Sequence, residues 1–178
     1  MAVPGAEEKV CQCGNRGCLD TVAGGSALSQ AGRELAANGR SPALAAVLAS
    51  TGAIRPVDIT RSADEGDPAA QALLNRVATV VGDSLATLVN AYNPDLVVVG
   101  GGMARAGEHV LSAIRRQTYR HALPAATENL RIELSVVDEE IAGLVGAVQF
   151  GLDRIFSAAY LPTLLENAAA AENVVPGT

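Results

Sequence analysis

Apolar positions recur at three- and four-residue steps over most of this chain, and at two-residue steps in one short stretch. The longest helical pattern opens at Gly66-Asp67-Pro68, and Leu74, Val77, Val81, Leu85, Leu88 and Val89 then form one apolar face. Asp67 suits the N-cap because its carboxylate can accept from first-turn amides, and Pro68 loses no helical bond at the first position. Asn93-Pro94 ends this helix, since the residue before a proline avoids the α region. Upstream, a helical pattern from Leu19 to about Asn38 is interrupted by Gly24-Gly25 and by Gly32. Gly39-Arg40-Ser41-Pro42 is a turn, from which Ser41 caps a short helix ending near Ser50. A loop over 51–56 leads to another short helix, Val57 to Asp64.

Leu96-Val97-Val98-Val99 is a β-branched run of the kind found in buried strands. It passes into Gly100-Gly101-Gly102 and then a helix from about Gly107 to Tyr119. From Leu130 to Val137, Leu130, Ile132, Leu134 and Val136 alternate with Arg131, Glu133 and Ser135, which predicts a half-buried strand. A last helix is expected from about Ile141 to Phe156, with Gly143, Gly146 and Ala147 as a small face suited to close packing. The tail after Pro162, within 161–178, reads as peripheral and prone to fray. Two strands joined through a helix rarely make a stable sheet alone. Either further strands lie in residues 1–20, or the chain is a piece of a longer protein, and the second reading is favoured.

Composition narrows the function. With 178 residues and 49% hydrophobic content, the chain can fold around a real core, and bulk disorder is excluded. No uninterrupted apolar run approaches the roughly 20 residues of a membrane span, and no basic stretch followed by an apolar one marks a secretion signal. A net charge of −6, with 13 scattered basic residues, argues against a large nucleic-acid face within this chain. Its 3 cysteines all fall within one short stretch, an odd number that does not make a disulfide framework. In a reducing cytoplasm, the expected location, they read as a metal site.

Cys11-Gln12-Cys13-Gly14-Asn15-Arg16-Gly17-Cys18 carries that reading. Zinc favours thiolates, the Cys11-x-Cys13 pair places two sulfurs on one tight loop, and Gly14 and Gly17 let the backbone return so that Cys18 reaches the same ion. The fourth ligand is not evident: His109 and His121 lie in or near a distant helix and read as surface or capping residues. Asp20 is either a helix-start carboxylate or, held by the cysteine loop, an acceptor for ligand hydroxyls. Asp58, Asp64, Asp67, Glu139 and Glu140 read as caps or solvated faces. Gly100, Gly101 and Gly102, between strand and helix, are either a phosphate- or nucleotide-approaching turn or simply a tight turn; they fit neither common phosphate-loop pattern. No Ser-His-Asp set or catalytic Cys-His pair is visible.

Cys11 to Asp20, read as CQCGNRGCLD, resembles the CxCGxxGCLE zinc loop of the ROK (repressor, open reading frame, kinase) family. The resemblance continues through Thr21-Val22-Ala23, Gly66-Asp67-Pro68-Ala69, Asn90 to Leu96, Val98 to Gly102 and Gly143 to Ala147, so it covers about residues 1–160. It implies an α/β, actin-like ATPase (ribonuclease H-like) fold, as the helix-rich C-terminal domain of a two-domain sugar-binding protein, with structural zinc on Cys11, Cys13 and Cys18. The family's histidine zinc ligand falls at or before Met1. Its phosphate loop and catalytic aspartate would also lie upstream, so no sugar phosphorylation is expected of this chain. Asp20 stands where the family has a glutamate that contacts sugar, one methylene shorter.

Two family classes remain. Cys18 to Thr21, the stretch from His121 to Ile132, and Leu152 to Ser157 look more like the repressors, which favours an effector domain that senses a sugar or sugar phosphate. DNA would then be contacted only through a winged-helix domain outside this chain. In the alternative, an ATP- and magnesium-dependent sugar kinase, Gly100 to Gly102 would approach the nucleotide. Either class is expected to form a homodimer or homotetramer without a membrane partner; a purely structural oligomerisation role is the third reading.

Overall fold

A computed structural model describes residues 1–101, 107–137 and 139–172; the side chains of 109, 139 and 167–172 lie outside that description. Packing divides the chain into two compact units, Met1–Val136 and Val137–Thr178.

In the first unit the long pattern after Leu19 is broken where its glycines predicted, into α1 (Asp20–Ala23) and α2 (Gly25–Ala37). Gly24 takes an extended conformation there, and a Cβ on it would stand 2.4 Å from the Asp20 carbonyl oxygen. α3 (Pro42–Thr51) and α4 (Pro56–Asp64) follow. The Ser41 hydroxyl accepts from the Leu44 amide, and α3 stops at Gly52 in the left-handed region. α5 (Pro68–Tyr92) begins with the Asp67 carboxylate accepting from the Ala69 and Ala70 amides, and ends at Asn93 with φ of 45°.

Leu44, Ile59, Leu73, Leu74, Val77 and Ile114 form the main core, where α2, α3 and α4 close on the N-terminal half of α5 and on α6 (Gly107–His121). Gly32 lets α2 in: a Cβ there would lie 2.8 Å from Ile54 Cγ2. Among the described residues α5 is the one helix long and apolar enough to cross a membrane, a property that run length alone passed over. Gln71, Asn75, Arg76 and Asp83 interrupt it, and 44% of its most apolar window is buried inside the protein, so it is built as a core helix.

β1 (Leu96–Val99) and β2 (Arg131–Leu134) form a parallel pair, in register from Leu96–Arg131 to Val99–Leu134, with α6 and the short α7 (Pro124–Thr127) as the crossover. The fold is thus helix-rich α/β, and no strand beyond these two occurs among the described residues. Residues 1–20 hold isolated bridges instead, Ala2 to Cys18 and Val10 to Arg16. The expectation of a buried β1 is corrected: Val97 and Val99 pack on the second core with Val89, Leu111 and Ile132, whereas Leu96 and Val98 are exposed. Only one face of a two-stranded ribbon is covered by the helices beneath it. β2 is also shorter than its alternation suggested, and Val136 is fully exposed. Arg131 and Ser135 turn their amides to β1, so the Ile132 carbonyl faces outward, where Arg115 Nε donates to it at 2.7 Å.

The second unit contains α8 (Glu139–Ile155) and α9 (Leu161–Glu172). The tail expected to fray is therefore helical as far as Glu172. On α8 a Cβ at Gly143 or at Gly146 would meet nothing within 4 Å.

Candidate functional site at the cysteine loop

The first nineteen residues are held by hydrogen bonds rather than by regular structure. Val3 N donates to the Gly17 carbonyl, Leu19 N to Met1, and Gly17 N to Lys9, so the N-terminal strap runs beside the end of the cysteine loop. Inside that loop Gly14 N donates to Cys11 O and Cys11 N to Asn15 O. Gly14 and Gly17 stand at φ of 86° and 70°, where a side chain would strain the backbone. The two glycines thus do what the sequence required of them: the chain doubles back and delivers Cys18 to the pair on the loop.

The three sulfurs lie within 4.8 Å of one another, and Cys13 Sγ is 3.6 Å from Cys18 Sγ. Four thiolates at about 2.3 Å around a tetrahedral ion sit about 3.8 Å apart, so this spacing fits a shared metal ion, and three cysteines so close could hold one. Cys13 is exposed, and Cys11 and Cys18 are half-buried. The Asn15 backbone amide, with hydrogen bonds from Cys11, Cys18 and the Asn15 side chain, holds the Cys13 thiol down at about 7. The hydrogen bond to Cys13, together with burial and the neighbouring Cys11, pushes Cys18 up to about 11. Of Cys13 and Cys18, Cys13 is therefore the first to offer a thiolate.

Among the described residues, no fourth cysteine, histidine or carboxylate joins the group. His121 is engaged elsewhere, with Nδ1 at 2.5 Å from Asp83 Oδ1; the His109 side chain lies outside the described residues.

Beside the loop opens a cleft of about 540 Å³, lined by Lys9, Gln12, Asp20 and Thr21 and by Gln30 and Glu34 of α2. Cys11 also reaches its lining. Asp20 is the exposed first residue of α1, and the turn beneath it is fixed by Thr21 Oγ1 donating to the Cys18 carbonyl at 2.7 Å. The structure thus brings Asp20 and the cysteines to one place. Gln30 and Glu34 were not singled out from the sequence. The available signal was the polar row Ser26, Gln30, Glu34 along one face of α2, but such a row is normally just solvated.

Gly100 and Gly101 do not line this cleft. Gly100 follows β1 beside Ser135, Gly101 has φ of 67°, and Gly102 lies outside the described residues. Asp58, read as a cap, is one: buried at the start of α4, it accepts from the Arg55 amide at 3.0 Å. Asp67 likewise caps α5. Asp64 is exposed, and the Glu139 side chain lies outside the described residues.

The ROK family model matches residues 2–153. Over 136 residues the chain is 29% identical to a glucokinase of Halalkalibacterium halodurans, an alignment that covers 76% of this chain and 41% of that protein. It is 30% identical over 163 residues to the DNA-binding transcriptional dual regulator NagC of Escherichia coli, covering 88% of this chain and 37% of the regulator. Its fold superposes on the crystal structure of a ROK family glucokinase from Streptomyces griseus, in complex with glucose and AMPPNP, with a TM-score of 0.67 at 29% identity; this covers 81% of this chain and 47% of the other. The chain therefore spans less than half the length of each of these relatives.

Proposed function

The chain belongs to the ROK family, and on that premise we propose that it is the sugar-sensing part of a ROK transcriptional repressor. In this reading it is the C-terminal, actin-like ATPase domain, and a winged-helix DNA-binding domain lies outside residues 1–178. The observation that carries the proposal is the meeting of Asp20 with the cysteine loop in one polar cleft. Asp20 accepts hydrogen bonds from sugar hydroxyls there. Zinc on Cys11, Cys13 and Cys18 is structural: it fixes the loop that leads directly into α1 and so holds the Asp20 carboxylate in place. Sugar occupancy then shifts the balance between two domain arrangements that differ in DNA affinity, by as much as the sugar prefers one of them. The reading places the protein in the cytoplasm as a homodimer or homotetramer. It is supported by the match to NagC along most of the chain and by an acidic composition that leaves DNA contact to another segment.

A ROK sugar kinase is the second reading, favoured by the glucokinase match and by the fold shared with an AMPPNP-bound glucokinase. There the Gly100-Gly101-Gly102 turn approaches the nucleotide of ATP–magnesium. Two measurements on the whole protein to which this chain belongs separate the readings. Calorimetric titration with glucose, xylose and N-acetylglucosamine is expected to show binding by at least one sugar, lost in Asp20→Ala. A coupled assay for ADP release with ATP, magnesium and sugar is expected to show no turnover. Turnover that survives repurification makes the protein a kinase; binding by none of the sugars removes the sensing role.

A further inference from the structure

Two of the three sulfurs are placed for a chemistry besides metal binding. Cys13 Sγ and Cys18 Sγ stand in contact at 3.6 Å. A disulfide has its sulfurs about 2.05 Å apart, so the bond closes when they move together by about 1.5 Å. The segment between them allows this movement. Gly14 directly follows Cys13 and Gly17 directly precedes Cys18, and a Cβ at Gly14 would meet nothing within 4 Å. The two partners also differ in setting. Cys13 is exposed, and the Asn15 side chain donates to its sulfur at 3.4 Å. Cys18 is half-buried, and its carbonyl is anchored by Thr21 N and Thr21 Oγ1. An oxidant arriving from solvent therefore meets Cys13 first, with Cys18 held behind it.

We propose that the loop is a thiol switch, in which a peroxide joins Cys13 to Cys18 as a disulfide and the metal ion leaves. The proposal rests on the reading of the three cysteines as a zinc site and adds a way of unloading it. Cys13 Sγ attacks one peroxide oxygen, the O–O bond breaks, and a Cys13 sulfenic acid and one water form. Cys18 Sγ then attacks the Cys13 sulfur, the S–O bond breaks, and a second water leaves as the S–S bond closes. The two sulfurs together lose two electrons, and the peroxide takes them up with two protons. Those protons come from the thiols themselves or, for thiolates on the metal, from solvent. Cys11 is then the one sulfur of the loop left to the ion, which is too few for a four-ligand zinc site. In a reducing compartment the bond is transient, because thiol exchange removes it. Asp20 follows Cys18 by two residues, so the switch acts on the segment that starts α1.

The test treats the zinc-loaded whole protein to which this chain belongs with hydrogen peroxide, then blocks free thiols with an alkylating reagent. Released zinc is read with a metallochromic dye, and the bonds by mass spectrometry of an unreduced tryptic digest. Trypsin cuts after Lys9, Arg16 and Arg33, so a Cys13–Cys18 bond joins peptides 10–16 and 17–33, whereas a Cys11–Cys13 bond stays inside the first. One zinc is expected to appear for each joined pair of peptides, and a thiol reductant with added zinc should restore the starting state. Cys11→Ser should keep the joined pair, which separates it from a bond made by Cys11. Cys18→Ser should abolish it and leave Cys13 oxidised without a partner. A bond made by Cys11, a sulfinic acid on Cys13 with no bond, or zinc release without a joined pair overturns the proposal while the zinc site stands. A protein that forms the bond but held no zinc beforehand overturns the zinc reading and the release step with it.

Discussion

The Ser41 hydroxyl donates to Asp67 Oδ2 at 2.6 Å, so the residue that caps α3 is tied to the residue that caps α5. The same hydroxyl oxygen accepts from Leu44 N, and Asp67 Oδ1 accepts from Ala69 N and Ala70 N. Ser41 is completely buried. Loss of an N-cap costs about 1 kcal/mol, and a charge-assisted hydrogen bond adds roughly 1.5–3 kcal/mol. Ser41→Ala and Asp67→Ala are each expected to destabilise by about 2–3 kcal/mol. Because they share one bond, the double variant should cost less than the two singles together. Urea denaturation of the four proteins measures this; strict additivity would mean that the bond between the caps contributes nothing.

Acid should unfold the protein through two caps, the buried Asp58 and the half-buried Asp67. Burial pushes the Asp58 carboxyl up, but the Arg55 side chain and amide, with the charges of Arg55 and Arg61, more than offset this and hold it below the usual carboxylate range. Burial likewise pushes Asp67 up, and the Ser41 hydroxyl with the Ala70 and Ala69 amides outweighs it. A carboxyl depressed in the folded state stabilises the fold above its unfolded value, near 3.9, and that contribution fades as the pH falls through the folded value. Denaturation midpoints should therefore hold steady between pH 7 and 5 and drop below about pH 4. In Asp58→Asn with Asp67→Asn, the drop between pH 4 and 3 should be shallower. An unchanged slope would assign acid sensitivity to other groups.

The close approach of α5 and α6 depends on Gly82. A Cβ at this position would lie 2.6 Å from Gln117 Cβ and 3.0 Å from the Ile114 carbonyl oxygen, while Thr118 Oγ1 donates to the Gly82 carbonyl at 3.2 Å. Alanine gains up to about 1 kcal/mol in helix propensity. Overpacking costs about 1–3 kcal/mol, and a backbone carbonyl on the facing helix cannot turn aside as a side chain can. Gly82→Ala is expected to destabilise by about 1–2 kcal/mol net. A stabilised variant, measured by thermal or urea unfolding, would show that α6 moves away freely.

What could be read from the sequence was local. Ser41, Asp67, Pro42, Pro68 and Asn93-Pro94 fix helix ends through bonds within a few residues of themselves, and those ends stand where they were expected. Likewise, Gly14 and Gly17 act inside one loop. The misses depend on partners far along the chain. Leu96 and Val98 are as apolar as Val97 and Val99, and only the placement of α5 and α6 on one side of the ribbon decides which pair is buried. α7 is a single turn after Pro124, too short to show a period. Glu34 and Asp20 are fourteen positions apart by number, and both line one cleft across the break at Gly24 between α1 and α2.

The cysteine loop supplies the most direct test of the site. With all three sulfurs within 4.8 Å, zinc is expected to copurify at close to one ion per chain when no chelator is used, and three thiols per chain should become reactive once it is removed. Cys13→Ser and Cys18→Ser each remove one of three thiolates and should lower zinc content sharply. The start of the N-terminal strap is bonded to this loop and to the residue after it, Val3 N to the Gly17 carbonyl and Leu19 N to the Met1 carbonyl. Metal removal should therefore raise amide exchange at Val3, Cys11, Gly17 and Leu19 while leaving α5 protected. That separation matters, because the core of α5 is built on Leu73, Leu74 and Val77, away from the loop. Zinc content below about 0.2 per chain, with full thiol reactivity before chelation, would show that the cysteines do not hold zinc; loss of protection throughout α5 would show that the metal supports the whole first unit rather than its cleft.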